Sequence, residues 1–258
     1  MPSNYAHHRF GQQTFSLLPA QIQKTVRRFP QLYSLGLHGP DLLFYYSPFG
    51  ETATGQLGKE YHQKSGLEYF TEVCRRYREE PSEGALSYLY GLLAHYCLDS
   101  RCHPFVHEST DHSPIGHTEL EVEFDRYLMA LDGIASPETE DFSPWFRLTR
   151  GECATVAGFY PPATAGQIYT AAWNLRCISK ILAMKNRKLL GKGISLFSGK
   201  IRQQMIISPA NHKCIHLNKE FLSLYDQALE DFPGLLQQLQ THLEAETPLD
   251  EAFAPKFG

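Results

Sequence analysis

At 258 residues the chain can bury a substantial core, as one large domain or two small ones, and its 42% hydrophobic and 20% charged content is that of an ordinary globular protein. Six cysteines without a CxxC pair exclude a disulfide-built scaffold and read as reduced, mostly buried thiols, and no segment approaches the ~18 apolar residues of a membrane span. The formal net charge of −4 hides an asymmetry: no Asp or Glu occurs between Cys153 and Lys219, while Arg176, Lys180, Lys185, Arg187, Lys188, Lys192, Lys200, Arg202, Lys213 and Lys219 are basic.

Taken in chain order, the N-terminal run Met1-Pro2-Ser3-Asn4-Tyr5-Ala6-His7-His8-Arg9 has no apolar h-region, so the expected compartment is the cytoplasm. Periodicity and Gly/Pro punctuation predict helices over Gln12 to Leu18, Pro19 to Arg28, Gly58 to Arg78 and Glu83 to Leu98. Further helices are predicted over Thr118 to Leu131, Ala165 to Lys188, Lys219 to Leu229 and Pro233 to Glu244. Strand signals are few, and the expected class is all-α. Between helices, Gly36-Leu37-His38-Gly39-Pro40-Asp41 reads as a loop whose glycines permit close approach to a site. Pro104 is expected to end the helix that carries His95, leaving His103 at its terminus, with a loop from Phe105 to Gly116 returning the chain to His117. Gly191 to Ser208 is expected to be a mobile loop. Phe44-Tyr45-Tyr46 and Phe49 read as core packing or as the lining of a lipid cleft.

The histidines carry the chemical signal. His-x-x-x-Asp/Glu occurs five times, at His95/Asp99, His107/Asp111, His117/Glu121, His216/Glu220 and His242/Glu246, more often than 12 histidines and 28 acidic residues would give by chance. On a helix, residues four apart share a face with Cβ atoms about 5–6 Å apart, which is metal-ligand spacing. A single such pair is more often a hydrogen-bonded core histidine than a ligand. His95, however, directly follows the apolar stretch Leu86 to Ala94, where an ionisable group is costly unless paired or metal-bound. In order, the candidate ligands are His7, Asp41, His62, His95, Asp99, His103, His117 and Glu121. One zinc ion takes four ligands, or three and a water, so this set exceeds the needs of one ion. His8, His38 and His112 could also reach the site, Cys97 and Cys102 flank it, and His212, His216 and His242 read as structural or solvent-exposed.

Tyr5-Ala6-His7, Gly39-Pro40-Asp41, His62, His95-x-x-x-Asp99 with His103-Pro104, and His117-x-x-x-Glu121 together resemble the zinc-dependent phospholipase C family over roughly the first half of the chain. The resemblance implies a single all-α domain over 1–258 with a metal cluster in 1–130, beside which the acid-free stretch reads as a basic helical half in 153–219. It also implies two or three zinc ions. Asp41, His62, His95 and Asp99 would hold one, and Asp99 would bridge to a second. His103, His117 and Glu121 would hold another, while His7 and the N-terminal amine would complete the ion that shares Asp99. Asp125, one turn beyond Glu121, would orient a ligand. The family spacing after the bridging aspartate is longer than that to His103, so His107 remains an alternative, and loss of Met1 before Pro2 would expose an amine close to His7.

Zinc ions bridged by a carboxylate clamp a phosphate, lower the pKa of bound water to about 7 and neutralise the leaving oxygen. The resemblance therefore implies phosphodiester hydrolysis, with Asp41 also accepting the proton of the attacking water and, for a phospholipid, diacylglycerol leaving. The acid-free half suits peripheral contact with an anionic lipid surface, and serves a solvated face or a nucleic acid equally. Two other readings stand beside this one. A zinc-dependent nuclease or phosphomonoesterase would act on single-stranded DNA or a phosphomonoester rather than on phosphatidylcholine vesicles. A non-catalytic metal-binding helical protein would lose thermal stability with its zinc and never show hydrolysis.

Overall fold

The computed structural model describes residues 4–48, 50–184 and 211–258. In chain order these form α1 (Asn4–Phe15), α2 (Ala20–Arg28), α3 (Pro30–Gly36), a 3-10 helix (Gly39–Tyr46), α4 (Ala53–Gln63), α5 (Gly66–Glu79) and α6 (Glu83–Thr110). They continue as α7 (His117–Leu131), α8 (Arg150–Ala157), α9 (Ala165–Leu182) and α10 (Asn218–Ala245), with single 3-10 turns between. The described residues contain no strand beyond one isolated bridge between Ser65 and Lys256, so the fold is all-α as expected.

The axis of the fold is α6, 28 residues long, or about 42 Å at 1.5 Å per residue. From Tyr88 to Asp99 every residue is buried, and a helix that is apolar all round has to be wrapped by others. The wrapping is done by α1, α2, α3, α7, α8 and α10. Contact with α3 is closest, because a Cβ on Gly36 would lie 2.4 Å from the Tyr88 carbonyl oxygen and one on Gly91 would lie 2.2 Å from that of Tyr33. The two backbones touch there, and this contact delivers the chain after α3 to the His95 end of α6.

Four predicted boundaries are corrected. Pro104 does not end α6, which runs through it to Thr110. Proline removes its own N–H and crowds the preceding turn, but Cys102, His103, Phe105 and Val106 are all buried around it, and their packing holds the helix on both sides. The predicted Phe105–Gly116 loop is therefore only 111–116. Gly58 to Arg78 is two helices, not one: Lys64 is extended and Ser65 caps α5 by accepting from the Glu68 N–H. Conversely, the two predicted C-terminal helices are one, since α10 runs through Pro233 with Phe232, Leu235 and Leu236 buried beside it. The first helix starts at Asn4 rather than Gln12, with Ala6, His7, Phe10, Gly11 and Thr14 on its buried face. The predicted loop Gly191 to Ser208 lies outside the described residues, as do Phe49 and the end of the helix predicted to reach Lys188.

Candidate metal centre

Because α6 continues past Pro104, His95, Asp99 and His103 stand at i, i+4 and i+8 in one row on one face of one rigid helix. All three are buried, at 0%, 3% and 6% exposure. The row is longer than the two-residue pair visible as a spacing motif.

Asp41 reaches this row from the first turn of the 3-10 helix. Its placement depends on Gly39, whose φ of +47° favours glycine and whose Cβ, if present, would lie 2.4 Å from His95 Cδ2. The backbone thus lies flat against the imidazole, while the neighbouring Leu37 carbonyl oxygen meets His95 Nδ1 at 3.2 Å. His62 comes from the last turn of α4, with Phe44 stacked at 5.4 Å between ring centroids.

His7 is carried by α1 and fixed from α7. The carboxylate of Asp125 accepts the N–H of Ala6 at 2.7 Å and that of Tyr5 at 3.0 Å, satisfying donors that the first turn of α1 cannot pair itself. The same helix α7 begins at His117 and contributes Glu121 one turn later. Asp125 therefore ties the helix of His7 to that of Glu121, on the residue adjacent to His7.

Two donor groups result. Asp41, His62, His95 and Asp99 place one ligand atom each within 4.8 Å of one another, and His103, His117 and Glu121 do the same. In the first, His62 Nε2 is 2.9 Å from Asp41 Oδ1 and His95 Nε2 is 3.2 Å from Asp99 Oδ2. In the second, Glu121 Oε1 lies 3.1 Å from His117 Nε2 and 3.4 Å from His103 Nε2. Asp99 touches both sides, with Oδ1 3.0 Å from His7 Nε2 and Oδ2 3.6 Å from His103 Nδ1. A cavity of about 20 Å³ lies among His7, Asp99, His103 and Glu121, enough for one ion or water. All eight residues singled out in the sequence thus converge, and the centre reaches solvent at His117, whose side chain is 29% exposed.

The residues fit zinc on the chemistry of their donors. His62, His95 and His103 each turn Nδ1 toward a backbone carbonyl, of Gly58 at 2.7 Å, Leu37 at 3.2 Å and Phe257 at 3.0 Å. A neutral imidazole that donates from Nδ1 presents a lone pair at Nε2, the arrangement by which outer groups orient metal-binding histidines. Those lone pairs face carboxylate oxygens, and two acceptors at about 3 Å need a cation or a proton between them. Both oxygens of Asp41, His95 Nε2 and Asp99 Oδ2 have no hydrogen-bond partner among the described residues, despite full burial that would otherwise be costly.

Electrostatics agree. Burial pushes the His95 imidazole down to about 4, against the pull of Asp99, so it is neutral near pH 7. Burial opposes charge on Asp99, but His103, His95 and His7 hold it well below the usual carboxylate range. Burial also opposes charge on His103, yet Asp99 and Glu121 outweigh it and push that imidazole up to about 9. Without metal, protons do the work that a cation would do.

Other predicted neighbours sort clearly. His38 is buried, with Nε2 unpartnered among the described residues and its ring 6.4 Å from that of His7, so it borders the centre. His8 instead stacks on Trp145 at 3.5 Å and bonds Gln12, and His112 is exposed. The His107 ring is exposed, 5.0 Å from that of His117. His242 bonds the Thr247 carbonyl and belongs to neither donor group. The Cys97 thiol donates to the Ala228 carbonyl, and both it and Cys102 stand outside the two donor groups. Phe44 and the buried Tyr45 flank Asp41 as part of the packing. Residues 1–3, and with them the N-terminal amine, lie outside the described residues.

Sequence reasoning missed the C-terminal segment. Phe257 is fully buried, its ring packs near His62 and His95, its carbonyl orients His103, and Gly258 N–H donates to the His62 carbonyl at 3.4 Å. A main-chain carbonyl leaves no mark in residue identity, so no spacing could have revealed it.

Residues 6–157, more than half of the chain, match the family described as zinc dependent phospholipase C. No curated protein and no solved structure matches the chain. The matched span contains both donor groups and ends before α9.

Proposed function

The chain belongs to the zinc-dependent phospholipase C family, and from that membership we propose that it is a phosphodiester hydrolase acting on phospholipid through a multinuclear zinc centre. The observation that carries the proposal is Asp99, whose two oxygens face His7 on one side and His95 and His103 on the other. A carboxylate so placed joins the two donor groups into one site.

Bound zinc would polarise the phosphoryl oxygens, lower the pKa of water toward about 7 and neutralise charge on the leaving oxygen. Asp41, His62, His95 and Asp99 would hold one ion, His103, His117 and Glu121 another, and His7 with Asp99 would complete the set. The three carboxylates, Asp41, Asp99 and Glu121, balance less charge than two dications carry, so the loaded site attracts an anionic phosphodiester. Asp41 takes the role that the family resemblance gives it, the base that accepts the proton of the attacking water, with His62 Nε2 2.9 Å from its Oδ1. The oxygen of water bonds to phosphorus as the bond to the glycerol oxygen breaks, and that oxygen takes up the proton that Asp41 received from water, so diacylglycerol leaves as the neutral alcohol. Tyr45 and Phe257, both buried, keep water away from the inner side, with the half-buried Phe44 stacked on His62.

The test is release of phosphocholine from phosphatidylcholine vesicles by zinc-loaded protein, beside cleavage of single-stranded DNA. Expected are lipid turnover and its loss in Asp41→Asn. Cleavage of DNA with no lipid turnover would move the substrate to nucleic acid.

A further inference from the structure

Seven large hydrophobic side chains are exposed among the described residues, and four of them, Tyr169, Trp173, Ile181 and Met184, belong to α9 and its exit. They are 40%, 51%, 40% and 47% exposed; spacing places Tyr169, Trp173 and Ile181 on one side of the helix, and Met184 follows two residues beyond its end. The opposite side buries Ile168, Ala171, Ala172, Leu175 and Ile178. That inner side packs on the 3-10 helix of Asp41, where the Asn174 side-chain amide donates to the Tyr45 and Tyr46 carbonyls at 2.9 and 3.2 Å.

Along the apolar stripe the charges are of one sign. Arg176 holds its guanidinium 5.9 Å from the Trp173 ring, Lys180 is exposed, and the sequence carries no acid from Cys153 to Lys219. Tyrosine and tryptophan favour the boundary between headgroups and acyl chains. Aliphatic side chains on the same face enter that boundary while cationic groups meet anionic headgroups.

We infer that the outer face of α9 docks on a lipid bilayer surface bearing anionic headgroups. A second copy fits the face poorly, since a two-fold interface opposes the same patch to itself and would set Arg176 and Lys180 against their equivalents. A nucleic acid would use the two rings and the cations but gives no partner to Ile181 and Met184. Docking rests on the lipid-substrate reading for its purpose, and it is measured separately from hydrolysis.

The experiment is co-sedimentation of the zinc-loaded protein with vesicles of phosphatidylcholine and phosphatidylglycerol in equal parts, and with phosphatidylcholine alone. Tryptophan emission is recorded alongside, since the chain has two tryptophans and Trp145 is stacked on His8. Expected are stronger binding to the anionic vesicles and a blue shift that Trp173→Phe removes. Trp173→Ala with Ile181→Ser should lower vesicle binding severalfold while zinc content and hydrolysis of a water-soluble short-chain phosphodiester stay as in the parent. Equal vesicle binding by parent and double variant would overturn the proposal, and so would concentration-dependent self-association that only the parent shows. Vesicle binding without hydrolysis of any phosphodiester would leave docking standing and remove the enzymatic reading instead.

Discussion

Gly39→Ala separates two costs that a single glycine absorbs. The first is the backbone: φ is +47°, and an L-residue held in the left-handed region costs about 1–2 kcal/mol. The second is contact, because the new Cβ would stand 2.4 Å from Cδ2 and 2.7 Å from Nε2 of His95. Ordinary contact begins near 3.4 Å, so the ring has to retreat, and Leu37 holds its far nitrogen. Displacing a ligand through its supporting contacts typically costs about 10–100-fold in metal affinity. Gly133 is the control, with φ of +76° and nothing within 4 Å of a Cβ. Gly133→Ala should therefore show the backbone cost alone, a fall in Tm of about 2–8 °C for a domain of this size, and unchanged zinc binding. Gly39→Ala should show a larger fall, together with weaker zinc binding measured by competition with a chromogenic chelator. If the two variants match in both Tm and zinc affinity, the close approach of Gly39 to His95 does not hold the ligand in place.

Two further outcomes follow from the centre. In zinc-free protein, burial works against charge on His103, but Asp99 and Glu121 raise it to about 9, above the unfolded value of about 6.5. Its contribution to stability is therefore fully present below about pH 6.5 and is lost as pH rises through about 9. The Tm of chelator-treated protein should fall across that window, while zinc affinity rises across it because the ion displaces that proton; a zinc affinity flat from pH 6.5 to 9 would contradict the assignment. Deleting residues 257–258 removes the carbonyl that orients His103 and should weaken zinc binding, seen as an altered visible spectrum of the cobalt-substituted protein. An unchanged spectrum and stoichiometry would show that the C-terminal segment merely covers the centre.

Spacing on a helix makes much of the centre legible in the sequence. His95/Asp99 and His117/Glu121 declared themselves because a repeat of four is a direct image of the helical turn, and all eight candidate ligands meet. Local reading failed where packing overrules it. Pro104 and Pro233 are each strong breakers alone, yet both sit inside helices whose buried neighbours fix the backbone. Ser65 shows the converse, a cap inside an apparently continuous helical pattern. In α1 the buried repeat of Ala6, Phe10 and Thr14 is short, and the first turn is held from outside by the Asp125 carboxylate of α7. The roles of Gly39, Asp125 and Phe257 depend on backbone atoms meeting across long sequence separations, which no local pattern encodes.

The central claim is that Asp99 joins the two donor groups into one zinc centre. Metal content per chain, measured by plasma mass spectrometry on untagged protein beside its Asp99→Asn variant, tests it most directly. The account predicts two or three zinc ions in the parent and a sharp fall in the variant; one ion or none, unchanged in Asp99→Asn, would contradict it.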